Sequence, residues 1–388
     1  MKFNKWTLGL AAVGAISLAS AARADEQKLV PLNTAVSSTV ISGYVDVGAQ
    51  YNLGNYSTDA GVPAGTSSSK VDNFSLNNLT ISLDKPQDET PWASGYHADV
   101  NIGSDAVGLG FNGRRAAIGA AVRQAYVALR TPVGNGIDWK VGAMDDVIGY
   151  EGNTDSSNPN YTRSVAYSIE PTTLVGALGS YKIIDPVTVQ AGLADATSPY
   201  RSTASDKTFV GAVAFTAPDS FGFLKGATLN LGTLLNIDKG GQDNYSAGVT
   251  IPTPLSALKF GAAFDLVSDN NAGPGNSQND SGWIVGLYGS YQATEKLSFN
   301  VRGEYFDLEG NPLAATPTSG SSVYGGTDGK GEELTATIAY SLWANVTSRA
   351  EFRWDHIDSG SAFGNPDAVG HTPNADAFTL ALNLIYTF

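Results

Sequence analysis

The sequence contains no cysteine, and only three histidines and two methionines occur among its 388 residues. The lack of cysteine excludes disulfide scaffolds, cysteine zinc sites, iron–sulfur clusters and thiol nucleophiles. Basic residues are also scarce. The chain has 23 Lys and Arg but 37 Asp and Glu, which gives it a formal net charge of −14. Such a chain offers no basic surface for neutralising phosphates, so we expect no nucleic-acid partner.

Long apolar runs are missing beyond the first 24 residues, since no later stretch reaches ~18 apolar residues, the length that indicates a transmembrane helix. The N-terminus instead has the pattern of a cleavable signal peptide: basic Lys2 and Lys5, an apolar stretch from 6 to 18, and Ala22-Arg23-Ala24 as the cleavage site. A membrane anchor is the alternative, but the stretch is shorter than the ~20 residues that a spanning helix needs.

The predicted organisation has three parts: a signal peptide at 1–24, a short periplasmic lead at 25–40, and a barrel at 41–388. Cleavage would leave 20 basic and 37 acidic side chains, a formal charge of −17. Export without an apolar helix leaves two broad classes, a soluble periplasmic protein or a transmembrane β-barrel.

Glycine and aromatic residues are plentiful, with 44 Gly, 17 Tyr, 15 Phe and 6 Trp. The apolar positions recur with a period of two, which is the strand signal. Between 346 and 358, for example, Phe352 and Trp354 share one face, whereas charged side chains occupy the other. The composition and the period together predict an all-β chain.

Sixteen alternating segments are predicted as strands, each close to or above the ~9–11 residues that cross a bilayer when tilted. Connections after even-numbered segments are short, and those after odd-numbered segments are mostly long, with 238–241 as the short exception. A soluble sandwich also alternates, but charges on the polar face, aromatic residues on the apolar face and unequal connections favour a transmembrane antiparallel β-barrel with short periplasmic turns and long outer loops. The predicted strands are 41–53, 73–84, 93–103, 121–131, 137–147, 172–184, 187–196, 206–217, 225–237, 242–252, 256–268, 281–293, 296–309, 331–343, 346–358 and 374–388.

The last predicted strand carries apolar residues at every second position from Phe378 to Phe388. An alternating strand of this kind resembles the assembly signal of bacterial outer-membrane barrels, with Tyr386 and Phe388 as its final members. We therefore expect the barrel-assembly machinery to be a partner. The alternative is the hydrophobic last strand of a soluble sandwich.

A resemblance to a known family begins near residue 121. The chain reads Gln-Ala-Tyr-Val at 124–127, Arg-Thr-Pro-Val-Gly-Asn-Gly at 130–136, Val-Ile-Gly-Tyr-Glu at 147–151 and Asn-Tyr-Thr-Arg-Ser at 160–164. From about residue 40 to residue 388 it resembles the beta-barrel porin-2 (OmpL-like) family. The resemblance implies an outer-membrane porin but indicates no particular solute.

A barrel of 16 strands is wide enough to leave an aqueous channel, so the expected function is passive diffusion of small polar solutes and ions. No Gly-x-x-x-x-Gly-Lys-Ser/Thr nucleotide motif and no complete metal-site spacing occurs, so we expect neither a cofactor nor a metal. The expected surroundings are outer-membrane lipid and lipopolysaccharide, and the size and strand count are similar to those of general porins, which are usually homotrimers.

The longest predicted loop, 148–171, is the third outer one. By analogy with general porins we expect it to fold into the lumen and to narrow it, the alternative being a solvated surface loop. The acidic side of this constriction is predicted from four residues in or next to the loop: Asp145, Asp146, Glu151 and Asp155.

The basic side of the constriction is predicted from inward positions on the wall: Arg302, Arg349, Arg353 and Lys140. Other predicted lumen residues are Asp99, Asp265, Glu304, Glu351 and Asp355. Facing rows of opposite charge create a strong local field that orients dipolar solutes, and excess acid predicts a weak preference for cations. The alternative is that Arg349, Glu351, Arg353 and Asp355 pair along one face as structural bridges.

Enzymatic chemistry has little support in the sequence. Only His97, His356 and His371 are available as imidazole bases, and neither a Gly-x-Ser-x-Gly elbow nor a His-Glu-x-x-His pair occurs. A lipid hydrolase on the outer surface of the barrel remains an alternative, as does a structural or adhesive barrel whose lumen is blocked.

Overall fold

The computed structural model describes residues 38–53, 63, 66, 70–108, 120–195, 207–237, 242–269, 280–309, 329–358, 363 and 374–388. Sixteen strands form one closed barrel in which every strand pairs with its neighbours in the sequence, and β1 pairs with β16. All the pairings are antiparallel.

The strands have the following bounds: β1 Val40–Leu53, β2 Asn73–Lys85, β3 Ser94–Ile102, β4 Ala120–Thr131, β5 Ile137–Asp145, β6 Thr173–Ile184, β7 Val187–Asp195, β8 Lys207–Thr216, β9 Thr228–Asn236, β10 Gln242–Pro252, β11 Leu258–Asp269, β12 Asp280–Gln292, β13 Leu297–Glu309, β14 Gly329–Trp343, β15 Val346–Ile357 and β16 Asp376–Thr387. Among the described residues, short helical elements lie between strands: three 3-10 segments, Asp105–Gly108, Asp155–Ser157 and Asp219–Leu224, and one α-helix, α1, Val165–Ile169.

The prediction of a sixteen-stranded antiparallel barrel is confirmed, and the predicted strand ends agree with the structure to within three residues. The short connection at 238–241 is also confirmed, because β9 ends at Asn236 and β10 begins at Gln242. The connections that follow even-numbered strands lie at one end of the barrel and are mostly short. Those that follow odd-numbered strands lie at the other end and are mostly longer, so we call it the long-connection end.

The two faces of the wall differ in the way that the alternation predicts. On β15, Phe352 points outward with 40% of its surface exposed, whereas its neighbours Glu351 and Arg353 point inward and are 4% and 0% exposed. Apolar side chains such as Leu382 and Ile338 cover the outer surface in the same manner. An apolar exterior around a polar interior is the arrangement of a barrel surrounded by lipid.

The barrel closes where β1 meets β16. Tyr44 lies opposite Thr387, and Leu53 lies opposite Phe378. The backbone N–H of Gly43 donates to the carbonyl of Phe388, and the N–H of Phe388 donates back to the carbonyl of Gly43, each at 2.9 Å. A complete seam leaves no unpaired strand edge.

No helix among the described residues is long and apolar enough to cross a bilayer. The predicted signal peptide at 1–24 and most of the predicted lead at 25–40 lie outside the described residues.

Candidate pore constriction

Residues 148–171, which we call the inner segment, leave the end of β5 and run across the interior of the barrel. Near its start, the N–H of Gly149 donates to Ser246 on β10, and near its end Asn244 donates to the carbonyl of Ile169 at 3.1 Å. Its middle reaches the opposite wall, where Asn160 donates to Thr337 on β14 at 2.7 Å. The segment therefore lies against the inner face of the wall.

The wall makes room for the start of the inner segment by presenting glycine. The ring of Tyr150 stacks on Tyr288, with centroids 4.1 Å apart, and its hydroxyl bonds to Thr250. This hydroxyl lies where a side chain at Gly261 of β11 would begin, so any larger residue there would collide with it. The glycine-rich interior is thus a docking surface for the inner segment.

The short helix α1 attaches the second part of the inner segment. Ser164 caps it by accepting from the N–H of Tyr167, and Glu304 of β13 accepts from the N–H groups of Val165 and Ala166 at 2.6 and 3.1 Å. A carboxylate beside these free N–H groups satisfies donors that would otherwise be unpaired. The apolar side chains of α1 pack against the wall in one buried cluster: Val165, Ala166, Ile169, Val267, Ile284, Phe306, Leu308, Ile357, Phe363 and Ala377.

Arg302 of β13 connects the wall to the inner segment through charge. Its guanidinium lies 2.6 Å from Glu151 and 3.0 Å from Glu333 of β14, and it donates to the carbonyl of Thr162 at 2.9 Å. The side chain has no exposed surface. Arg302 therefore fixes the inner segment to the wall and does not contact water in the lumen.

Arg349 and Glu351 of β15 bind the backbone of the inner segment. Arg349 donates to the carbonyls of Asn158 and Asn160 at 2.7 and 2.9 Å. Glu351 accepts from the N–H groups of Tyr161 and Thr162. Both side chains are almost fully buried by these contacts.

Arg353 completes this row of anchors on β15. It pairs with Asp355 at 2.6 Å and donates to the carbonyl of Arg163 at 2.6 Å. Three of the four wall bases predicted from the sequence, Arg302, Arg349 and Arg353, thus hold the inner segment in place. Lys140 is the exception, because it lies on β5 with its ammonium 4.9 Å from the ring of Tyr126.

A second row of charges follows β2 to β5, on the side of the interior where the inner segment makes few contacts. His97 lies 3.1 Å from both Asp84 and Asp99. Arg123 pairs with Asp99 and, at 2.6 Å, with Asp145. We call these five side chains the open-side row, because several of them keep exposed surface.

Exposure within the open-side row is uneven. The side chain of Asp145 is 22% exposed against 5% for Arg123, and that of Asp84 is 33% exposed against 19% for His97. In both pairs the carboxylate is the partner nearer to water. The inner segment meets this row through Asn153, which donates to Asp145 at 3.0 Å.

Asp155 and Arg163 lie within the inner segment and pair with each other at 2.6 Å. Asp155 also accepts from the hydroxyl of Tyr44 on β1. The four predicted acidic residues are therefore distributed: Asp145 on the open side, Asp155 within the inner segment, Glu151 on Arg302, and Asp146 at the root of the segment.

The two ends of the inner segment meet at a group of carboxyls. Desolvation and the charge of Asp145 raise the pKa of Asp146 well above its usual range. Burial, with Asp265 and Asp146 nearby, raises the pKa of Glu170 in the same way, and Glu170 hydrogen-bonds to Asp265. The carboxyl of Glu170 fills the space beside Gly149, whose φ of +86° is in the left-handed region.

Sequence reasoning missed Glu333, Asp84 and the lumen role of Arg123. Glu333 is on the same face as Thr335 and Thr337, so extending the alternation by one step would have found it. The role of Arg123 depends on a shift of register between Asp99 and Val100, which no alternating pattern signals.

The predicted assembly residues lie at the end of β16. Tyr386 is outward and 47% exposed, and its ring is 6.4 Å from that of Phe388.

Comparison with known proteins agrees with this architecture. A family model described as "Putative beta-barrel porin-2, OmpL-like" matches residues 38–388. No curated protein sequence matches the chain.

Solved structures share the fold at low sequence identity. The trimer form of OmpT, an outer-membrane protein of Vibrio cholerae, is 12% identical, with 90% of this chain and 99% of that chain covered and a TM-score of 0.59. The outer-membrane channel DcaP of Acinetobacter baumannii is 12% identical over 90% and 97%, with a TM-score of 0.57. An anion-selective porin from Comamonas acidovorans is 12% identical over 90% and 99%, with a TM-score of 0.54.

Proposed function

Because the chain belongs to the putative beta-barrel porin-2 (OmpL-like) family, we propose that it forms a water-filled channel for passive diffusion of small polar solutes and ions across the bacterial outer membrane. The closed barrel of sixteen strands supports this function, since a barrel of this size leaves space for water once its interior side chains are placed. The inner segment occupies part of that space and would form the constriction.

The route for solutes would run between the inner segment and the open-side row on β2 to β5. The opposite wall is closed to water, because Arg302, Arg353 and Glu351 are buried beneath the inner segment. Solutes would therefore meet Asp145 and Asp84 before they met any arginine of β13 or β15.

A weak preference for cations follows from one observation: two carboxylates of the open-side row, Asp84 and Asp145, are more exposed than their basic partners His97 and Arg123. A charge ring biases the choice of ion through the groups that water and ions can reach. The formal charge of the chain without residues 1–24, −17, acts in the same direction over longer distances.

Reconstitution of the purified barrel in a planar bilayer tests both parts of this proposal. We expect discrete ohmic conductance steps and, across a KCl gradient, a reversal potential that favours K⁺. Silence from correctly folded, heat-modifiable protein would contradict the channel and favour a blocked structural barrel. Open steps that favour Cl⁻ would keep the channel and overturn the assignment of selectivity to the exposed carboxylates.

We also propose that three copies of the chain assemble as a homotrimer. A homotrimer is supported by the trimer form of OmpT, which has the same fold, and by an apolar groove on the outer face of β1, β2 and β16 lined by Val47, Phe74, Leu76, Leu382 and Leu384. Sedimentation in density-matched detergent would give the mass of three chains; the mass of one chain would exclude the trimer under those conditions.

Export and insertion complete the proposal. Cleavage after Ala24, insertion by the barrel-assembly machinery through the end of β16, and contact with outer-membrane lipid and lipopolysaccharide follow from an outer-membrane location. The intact mass of protein purified from outer membranes should correspond to a chain beginning at Asp25, and a mass that includes residues 1–24 would contradict cleavage.

A further inference from the structure

Four polar side chains meet on the outer face of the barrel, next to the apolar band that covers most of that face. Glu332, His356 and Asp376 are direct neighbours across β14, β15 and β16, and Asp358 follows two residues after His356. We call these four residues the outer cluster. It lies at the long-connection end, one step beyond Trp354 on the same face.

The outer cluster brings three potential metal ligands together. The carboxylates of Glu332 and Asp358 and a ring nitrogen of His356 all lie within 4.8 Å of one another. His356 Nε2 is 3.6 Å from the carboxylate of Asp358. Ligands that bind one ion at about 2.0–2.2 Å lie roughly 3–3.5 Å apart, so small side-chain rotations bring this set to coordinating geometry.

The fourth member fixes the orientation of the imidazole. His356 Nδ1 lies 2.8 Å from Asp376 Oδ1, and Asp376 also accepts from the indole N–H of Trp354 at 2.9 Å. A carboxylate on one ring nitrogen holds the proton there and leaves the lone pair of Nε2 free to bind a metal. In the outer cluster Nε2 is the nitrogen that faces Asp358.

We propose that the outer cluster binds a divalent transition-metal ion of the zinc type. His356 Nε2 and the carboxylates of Glu332 and Asp358 are its ligands, and Asp376 is a positioning residue. Imidazole favours zinc and related ions over calcium and magnesium, which prefer all-oxygen sites. Three protein ligands leave a coordination position open to water.

Charge supports the same assignment. Three carboxylates around one imidazole repel one another at the level where the aromatic residues Trp354, Tyr305 and Trp283 lie on the outer face. A divalent cation would offset that repulsion.

Zinc titration of the full-length barrel in detergent micelles, followed by calorimetry, tests the proposal. We expect one zinc ion per chain, loss of binding of at least 100-fold in H356N, and weaker binding in E332Q and D358N. D376N keeps all three ligands, and we expect a 10- to 100-fold loss of affinity from the disordered imidazole alone. Cobalt in place of zinc should give visible absorption that H356N abolishes.

The matched control is Asp307→Asn. Asp307 is a carboxylate on neighbouring β13 that pairs with Lys330 at 2.6 Å, so its loss should leave zinc affinity within about twofold, whereas a general surface-charge effect would lower it as much as E332Q does. Heat-modifiable migration identifies correctly folded variants, and D358N, at the exposed end of β15, provides a second probe if H356N does not fold. Absence of zinc binding by the wild type, equal affinity in H356N, or displacement of zinc by equimolar calcium would overturn the proposal.

Discussion

The two sides of the barrel interior carry similar chemistry but use it differently. On β13 to β15, Arg302, Arg349 and Arg353 are buried because each binds the inner segment. On β2 to β5, the open-side row contains an arginine and carboxylates of the same kinds, yet Asp84 and Asp145 remain partly exposed. Strand alternation therefore determines which face of the wall a charged side chain occupies, whereas contact with the inner segment determines whether water reaches it.

The largest expected effect comes from removing an anchor on the buried side. Arg302→Met leaves Glu151, Glu304 and Glu333 together without their shared cation, and breaking a buried pair in this way costs about 3–5 kcal/mol. We expect the inner segment to detach, faster hydrogen exchange of peptides covering 148–171, and a higher single-channel conductance.

The control for this experiment is Arg130→Met. Arg130 makes an equally close pair with Asp138 at 2.7 Å, near the short turn that joins β4 and β5. The R130M substitution should lower the free energy of unfolding of the barrel without changing hydrogen exchange in the inner segment. If R302M and R130M gave the same exchange in 148–171, the anchoring role of Arg302 would be wrong.

The next effect concerns the glycine surface under the inner segment. Gly261→Ala places a methyl group where the Tyr150 hydroxyl lies, and overpacking of this kind costs about 1–3 kcal/mol. We expect partial release of the inner segment, measured as faster hydrogen exchange in 148–171. In the double variant G261A/Y150A we expect this exchange to return towards the wild-type rate. Gly303→Ala, where a methyl group meets nothing closer than 3.9 Å, should change nothing.

A rise in pH should weaken the attachment of the two ends of the inner segment, where Asp146 and Glu170 lie. The pKa values of Asp146 and Glu170 are raised by burial, so their contribution to stability is complete below the usual carboxyl range and is lost as the pH rises through their folded pKa values. Exchange in 148–171 should therefore increase with rising pH after correction for its intrinsic pH dependence. The E170Q variant should show a weaker dependence of hydrogen exchange on pH. If exchange in E170Q increased with pH as much as in the wild type, Glu170 would not be the group responsible.

The smallest effect is expected on the open side. Asp145→Asn removes an exposed charge whose interaction with a passing ion at 4 Å is worth about 1 kcal/mol in water, so the K⁺ to Cl⁻ permeability ratio should fall by up to about fivefold. Asp219→Asn neutralises a highly exposed carboxylate in the connection between β8 and β9 and should leave the reversal potential unchanged. An equal shift in both variants would mean that net charge, and not the open-side row, controls selectivity.

The fold was predictable from the sequence because the period of two and the unequal connections are local properties of the chain. Arg302 and Glu304 could be assigned to the inner face for the same reason. The partners of these two side chains could not be predicted. Glu151 and Val165 are about 140–150 positions away from them in the sequence, and they lie in the inner segment, which has no repeating apolar pattern.

The outer cluster shows the same limit in another form. Glu332, His356 and Asp358 have no metal-site spacing along the chain, and for that reason no metal was expected from the sequence. They come together only through the register of β14 and β15, where Glu332 lies opposite His356.

The seam between β1 and β16 has a consequence for how the molecule is made. Asp46 and Asn383, which bond to each other across it, are 337 positions apart. One edge of β1 pairs with β2, but its other edge has no partner until almost the entire chain, including β16, has been synthesised. During that interval the sheet has two open edges, which are prone to pair with other chains. Protection before closure is thus a requirement that the topology itself imposes on the cell.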